Sequence, residues 1–158
     1  MELRYNLNTL LKEDNWLNGE FYIEHDGHCF PCEGWTDAIY PGVLHWVEEL
    51  KKIARRKDEF ECEFPFMEGD YNLNITRKNG SKLYVRCLDG HDCRGIHSCF
   101  QEVFVFECDA YEFVSSLHRL YKDILFAVHN KSLKIEEGKH ITFMYYEKIL
   151  RDIVKEFK

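Results

Sequence analysis

The chain has 158 residues, 45% hydrophobic and 15% aromatic, which is enough for one buried core and too apolar for a disordered chain. Its formal net charge of −7 opposes nucleic-acid phosphate and anionic membrane, and sets those two partner classes aside. No apolar run approaches the roughly 20 residues of a membrane helix, and no export signal is read in the first residues, so the seven cysteines are expected to be reduced thiols in a cytoplasmic protein.

There is no internal repeat, low-complexity stretch or linker composition, so residues 1–158 are expected to form a single domain. From the N-terminus, Leu3, Tyr5 and Leu7 alternate with Glu2, Arg4 and Asn6, a half-buried strand pattern. Glu20–His25, with Phe21 and Ile23 on one face, reads as a second short strand. Val43, Trp46, Val47, Leu50 and Ile53 then recur at helical spacing. This first helix starts either near Asp37, with Thr36 or Asp37 as cap, or near Pro41, and runs to about Arg56.

The middle of the chain alternates most clearly. Phe60, Cys62, Phe64 and Phe66 face away from Glu61, Glu63 and Pro65; Tyr71, Leu73 and Ile75 face away from Asn72, Asn74 and Thr76. Leu83, Val85 and Cys87 form a third run, and Asn79-Gly80 before it suits a type I′ turn. A meander of antiparallel strands follows. Gln101–Cys108 is apolar on both faces from Val103 to Phe106, as a central covered strand would be. Two more helices are expected. Ala110–His129 has Asp109 as its cap, and about Lys139–Phe157 has a stripe of Ile141, Tyr145, Ile149, Ile153 and Phe157. The expected fold is α+β: an antiparallel sheet of five or six strands packed against about three helices.

Two short runs concentrate the reactive side chains: His25-Asp26-Gly27-His28-Cys29-Phe30-Pro31-Cys32 and His91-Asp92-Cys93-Arg94-Gly95-Ile96-His97-Ser98-Cys99. Cys29-x-x-Cys32 has the spacing of a zinc knuckle, whose second pair would come from His91, Cys93, His97 or Cys99. The spacings in that second run are not those of a standard zinc site. Cys29-Phe30-Pro31-Cys32 also resembles the Cys-x-Pro-Cys motif of thioredoxin-like proteins, which implies a thiolate at a helix N-terminus. Gly34 and Pro41 interrupt the helix that this motif needs. Cys29 or Cys93 with His91 or His97 would supply a Cys/His pair. No G-x-S-x-G, Walker loop, dinucleotide fingerprint or H-E-x-x-H is present, and catalysis is not the expected role.

The remaining candidates suit protein binding. Trp35 is either an exposed anchor or a side chain packed on the sheet at the helix entry, and Asp37 either a surface contact or a helix cap. Asp26, Glu33, Asp89 and Asp92 would add negative charge if the two loops share one end of the sheet, making a rim for a basic partner. The stretch Phe30-Pro31-Cys32-Glu33-Gly34-Trp35-Thr36-Asp37, followed by Leu44-His45-Trp46, resembles a motif in small bacterial proteins. The size, architecture and acidity are similar to those of immunity proteins of bacterial toxin systems. That resemblance implies a non-catalytic inhibitor that occludes a basic toxin, and it carries over no site residues. No cofactor is expected on this reading, and zinc is the alternative.

Overall fold

The computed structural model describes residues 1–13, 16–56, 59–77, 80–91 and 100–158, the side chains of 12 and 13 apart. Among these residues the fold is α+β, with eight strands in two antiparallel sheets and three helices. The first sheet joins β1 (Glu2–Glu13), β2 (Trp16–His25) and β3 (His28–Phe30) in that order, with β4 (Thr36–Ala38) also paired to β2. Helix α1 (Ile39–Arg55) follows. The second sheet is the expected meander, β5 (Phe60–Pro65), β6 (Tyr71–Arg77), β7 (Lys82–Asp89) and β8 (Gln101–Asp109). Helices α2 (Ala110–His129) and α3 (Glu137–Glu156) close the chain.

The single sheet of five or six strands is thus corrected to two sheets of four. β3 and β4 have three residues each, too few to show a period. The β1–β2 hairpin is also longer than its alternation suggests. Its register shifts between Asn6 and Leu11, where Asn6 accepts from the Asn8 amide and Thr9 takes over the Glu20 amide. Such a bulge interrupts the period of two. Gly19 lies beneath it, where a Cβ would come 2.6 Å from Leu10 Cδ2.

Asp26-Gly27 is a turn that the reactive-run reading passes over. Both residues have positive φ (49° and 78°), as a type I′ hairpin requires, and His25 pairs with His28 across it. The Asn79-Gly80 turn lies partly outside the described residues; Gly80 itself has φ 63°.

Helix α1 settles its own start. Tyr40 is extended (φ −107°, ψ 119°), as the residue before a proline tends to be, so helical backbone runs from Pro41. The N-cap position is Ala38 and no side chain caps it, so Asp37 is not a cap. α1 bridges the sheets, packing on β2 and β5, while α2 packs on β1 and β8 and α3 lies over α1 and α2. Trp46 sits at the centre, within 6.3 Å ring to ring of Phe21, Phe64, Phe66 and Phe113, and its Nε1 donates to the Pro65 carbonyl at 2.8 Å. Tyr121 Oη donates to the Val43 carbonyl at 3.0 Å and ties α2 to α1.

Two further expectations need correction. Among the described residues β8 is an edge strand, paired to β7 alone. Its second apolar face comes from a bulge opposite Cys87–Leu88, which leaves Val103 55% exposed. Its flank is met by the β2–β3 hairpin, with the His25 ring stacked 4.2 Å from Phe106 and the His28 ring 4.8 Å from Phe104. On α3, Ile141 and Tyr145 are 60% and 58% exposed. The buried stripe runs instead through Lys139, Phe143, Leu150 and Ile153, with Phe157 beyond the helix end. Two apolar stripes overlap on this helix, and spacing of four selects the outer one in its first two turns.

Candidate functional site

The first reactive run divides between two places. Asp26 is at the β2–β3 turn and lines an open groove with Glu2, Glu24, Glu112 and Arg119, beside the start of α2. The other end of the run turns towards Tyr71. The Tyr71 ring meets Phe30 at 5.6 Å, Trp35 at 5.0 Å and His91 at 4.7 Å. Burial raises the Tyr71 hydroxyl pKa, and the charges of Asp89 and Cys32 raise it further. Asp89 Oδ1 accepts from the His91 amide at 2.9 Å and sits 3.0 Å from His91 Nδ1. The two runs therefore approach one another at Tyr71, through Phe30 on one side and His91 on the other. Asp92, Cys93, His97 and Cys99 lie outside the described residues. Among the described residues no group of three or more His, Cys, Asp or Glu is placed to hold a metal.

The thiols give little sign of activation. Cys29 is half-buried on the strand pair Glu24–Cys29, and desolvation followed by Glu24 and Glu33 raises its pKa. That is the wrong direction for a ready thiolate. Cys32 is exposed and precedes no helix, since β4 intervenes before α1. Cys62, Cys87 and Cys108 are buried, with thiols pushed up to about 12 by burial first of all.

Trp35 is half-buried against Tyr71, closer to the packed alternative than to an exposed anchor. Asp37 is only 2% exposed, which removes it from any surface rim. Its two oxygens accept from the Glu68 amide (2.6 Å) and the Met67 amide (3.1 Å), holding the turn between β5 and β6. Burial raises its carboxyl to about 6 against the opposing pull of those amides. Glu33 is exposed in the turn after Cys32. Of the proposed acidic set, Asp26 lines the groove beside α2, Asp89 holds His91, and Asp37 is interior.

A larger acidic surface follows from the layering. Residues 1–38 and 59–109, which contain the strands, hold 18 acidic and 7 basic residues, a formal −11. Residues 39–58 and 110–158, which contain the helices, hold 10 acidic and 14 basic residues, a formal +4. The strand-bearing segments of the sequence are thus acidic and the helix-bearing segments mildly basic.

The outward face of the second sheet shows how that charge is arranged. Leu73, Ile75, Leu83 and Val85 point into the core, so their alternating neighbours point outward. Register places three rows across the strands: Glu61–Thr76–Tyr84–Glu107, Glu63–Asn74–Arg86–Val105, and Pro65–Asn72–Leu88–Glu102. Carboxylates stand on both edge strands and amides lie along the middle. Glu61 accepts from Asn74 Nδ2 at 2.9 Å, Thr76 Oγ1 at 3.4 Å and Arg86 Nη2 at 3.2 Å. Glu63, Glu102 and Glu107 are exposed and make no ion pair or hydrogen bond among the described residues. On the first sheet, by contrast, Arg4 pairs with both Glu2 and Glu24, and Asn6 donates to Glu20. In the sequence, the polar side of β5 and β6 serves only to establish the period. The same letters, Glu61, Glu63, Asn72 and Asn74, are the available signal for this surface.

The chain matches no family model, no curated protein and no solved structure. No helix among the described residues is long and apolar enough to cross a membrane.

Proposed function

We propose that this is a non-catalytic protein-binding domain whose acidic strand layer docks a basic protein partner, in the manner of an immunity-type inhibitor. The observation that carries the reading is the charge segregation: −11 on the strand segments against +4 on the helical ones. Concentrating like charge on one layer costs folding free energy through self-repulsion and gains steering and selectivity towards a partner of opposite sign. The raised Cys29 pKa and the strand that separates Cys32 from α1 weigh against thiol chemistry. The similarity of the chain's size, architecture and acidity to immunity proteins of bacterial toxin systems supports the same reading.

The test is co-expression with the neighbouring gene products, among which this reading expects a basic protein partner, read by size-exclusion chromatography. A stoichiometric complex is expected, lost when Glu61, Glu63, Glu102 and Glu107 are replaced by lysine in a chain that still folds. A complex that survives this reversal, together with reversal of Asp26, Glu33 and Asp89, contradicts the acidic-docking reading.

One observation supports a second reading. Phe30 of the first reactive run and His91 of the second both meet the Tyr71 ring. A zinc ion held there would draw on Cys29, Cys32 and His91 with Cys93, His97 or Cys99. Elemental analysis of untagged protein purified with reductant separates the readings: about one zinc per chain favours this second one.

A further inference from the structure

We infer that the chain pairs with a second copy of itself through the outward side of α3, the two helices packed antiparallel about a two-fold axis. The pairing is independent of the acidic-docking reading, because it engages none of the strands. The inner side of α3 is already used within the chain: Phe143, Leu150 and Ile153 are buried, and the helix packs on α1 and α2. Its outer side carries Ile141, Met144 and Tyr145, each more than half exposed. Spaced three and four apart, they form one stripe over successive turns. Together they offer on the order of 300–400 Å² of apolar surface, a size at which an exposed patch is often functional.

The charges at the two ends of the stripe select what covers it. Glu137 lies one turn before Ile141, and Lys148 one turn after Met144. Both are exposed, and neither side chain makes an ion pair or hydrogen bond among the described residues. The spacing of Glu137, Ile141, Met144 and Lys148 is four, three, four, which reads the same in both directions. A reversed copy of the helix therefore sets Ile141 against Met144 and Glu137 against Lys148 at both ends, with Tyr145 beside the seam. A uniformly acidic or basic partner gains at one of these charges and loses at the other, whereas a second copy gains at both. A parallel pair would oppose Glu137 to Glu137 and Lys148 to Lys148. Antiparallel packing also brings the opposite dipole ends of the two helices together. One self-complementary patch used by both copies is the interface of a two-fold dimer. The contact buries on the order of 1,000 Å² in total, below the standard size, so a dissociation constant on the order of 100 µM is expected. Denaturant melts at about 2 µM then read the monomer.

Sedimentation velocity of the full-length chain tests the pairing, run with reductant at near-physiological salt from about 5 µM to about 1 mM. A monomer–dimer equilibrium is expected. Ile141→Lys, whose side chain is exposed in the monomer, is expected to weaken it at least about tenfold. Glu137→Lys and Lys148→Glu are each expected to weaken it about fivefold, since each change acts twice across the axis. The double variant restores both opposite-charge pairs and should recover the wild-type dimer. A chain that stays monomeric up to about 1 mM overturns the inference. So does a dimer that persists unchanged in Ile141→Lys. Loss in both single charge variants without recovery in the double variant overturns the antiparallel arrangement.

Discussion

Replacing Asp37 by Asn changes how stability responds to pH in a way that the buried carboxylate dictates. Asp37 is almost fully enclosed, and burial raises its carboxyl from an ordinary 3.8 to about 6. The folded state therefore holds this proton over a range where the unfolded chain releases it. The carboxyl adds stability below pH 4, and this is lost as pH rises through 6. A rise of that size corresponds to roughly 3 kcal/mol, of which about 2.5 kcal/mol develops between about pH 7.5 and pH 4. Asparagine does not titrate, so every other group cancels in the comparison. Urea unfolding of wild type and D37N across that range is the assay. The wild type should gain about 2.5 kcal/mol relative to D37N on acidification. D37N should be destabilised at pH 4 by about 1–3 kcal/mol, because its NH₂ opposes one of the two backbone amides of Met67 and Glu68. Parallel curves for the two proteins would refute the desolvated carboxylate.

Three other outcomes are expected. Phe143→Ala, at a fully buried site against Tyr40 and Tyr121, should cost about 3–5 kcal/mol, and Ile141→Lys on the exposed side of α3 should stay within about 0.5 kcal/mol, both read by denaturant melts. Gly19→Ala should cost less than about 1 kcal/mol, because its 2.6 Å approach is to the terminal methyl of the half-buried Leu10, which can turn away, and a double-mutant cycle with Leu10→Ala should recover most of that. In a variant with Cys93 and Cys99 replaced by serine, a thiol reagent should label Cys32 quickly and Cys29 more slowly. Cys62, Cys87 and Cys108 should react only after unfolding, because burial holds their thiols at about 12.

The elements legible in the sequence are those whose period spans several turns or residues. The meander β5–β7 is visible because Cys62, Phe64, Leu73, Ile75, Leu83 and Val85 each face a common core across two or three repeats. Helix α2 is visible because one stripe, Phe113, Val114, Leu117, Leu120, Tyr121 and Ile124, is buried and no second stripe competes. α3 misleads because Ile141 and Tyr145 are apolar without being covered. β3 and β4 are set by pairing to β2, a long-range interaction that three residues cannot announce. At the site, the Asp26-Gly27 run reads as reactive only until its turn geometry is known. Asp37 looks like a surface carboxylate because its amide partners at Met67 and Glu68 are 30 residues further on. The acidic platform is legible as alternating letters, but register across four strands is needed to assemble it.

The central claim is that the acidic strand layer, and β5–β8 within it, is where the protein meets its partner. Hydrogen–deuterium exchange of the chain alone and in complex with the basic partner that co-expression is expected to yield tests it most directly. Added protection is expected in peptides covering Phe60–Pro65, Tyr71–Arg77 and Gln101–Asp109, with Ala110–His129 and Glu137–Glu156 unchanged. Protection confined to those two helices, with the strands unchanged, would contradict it.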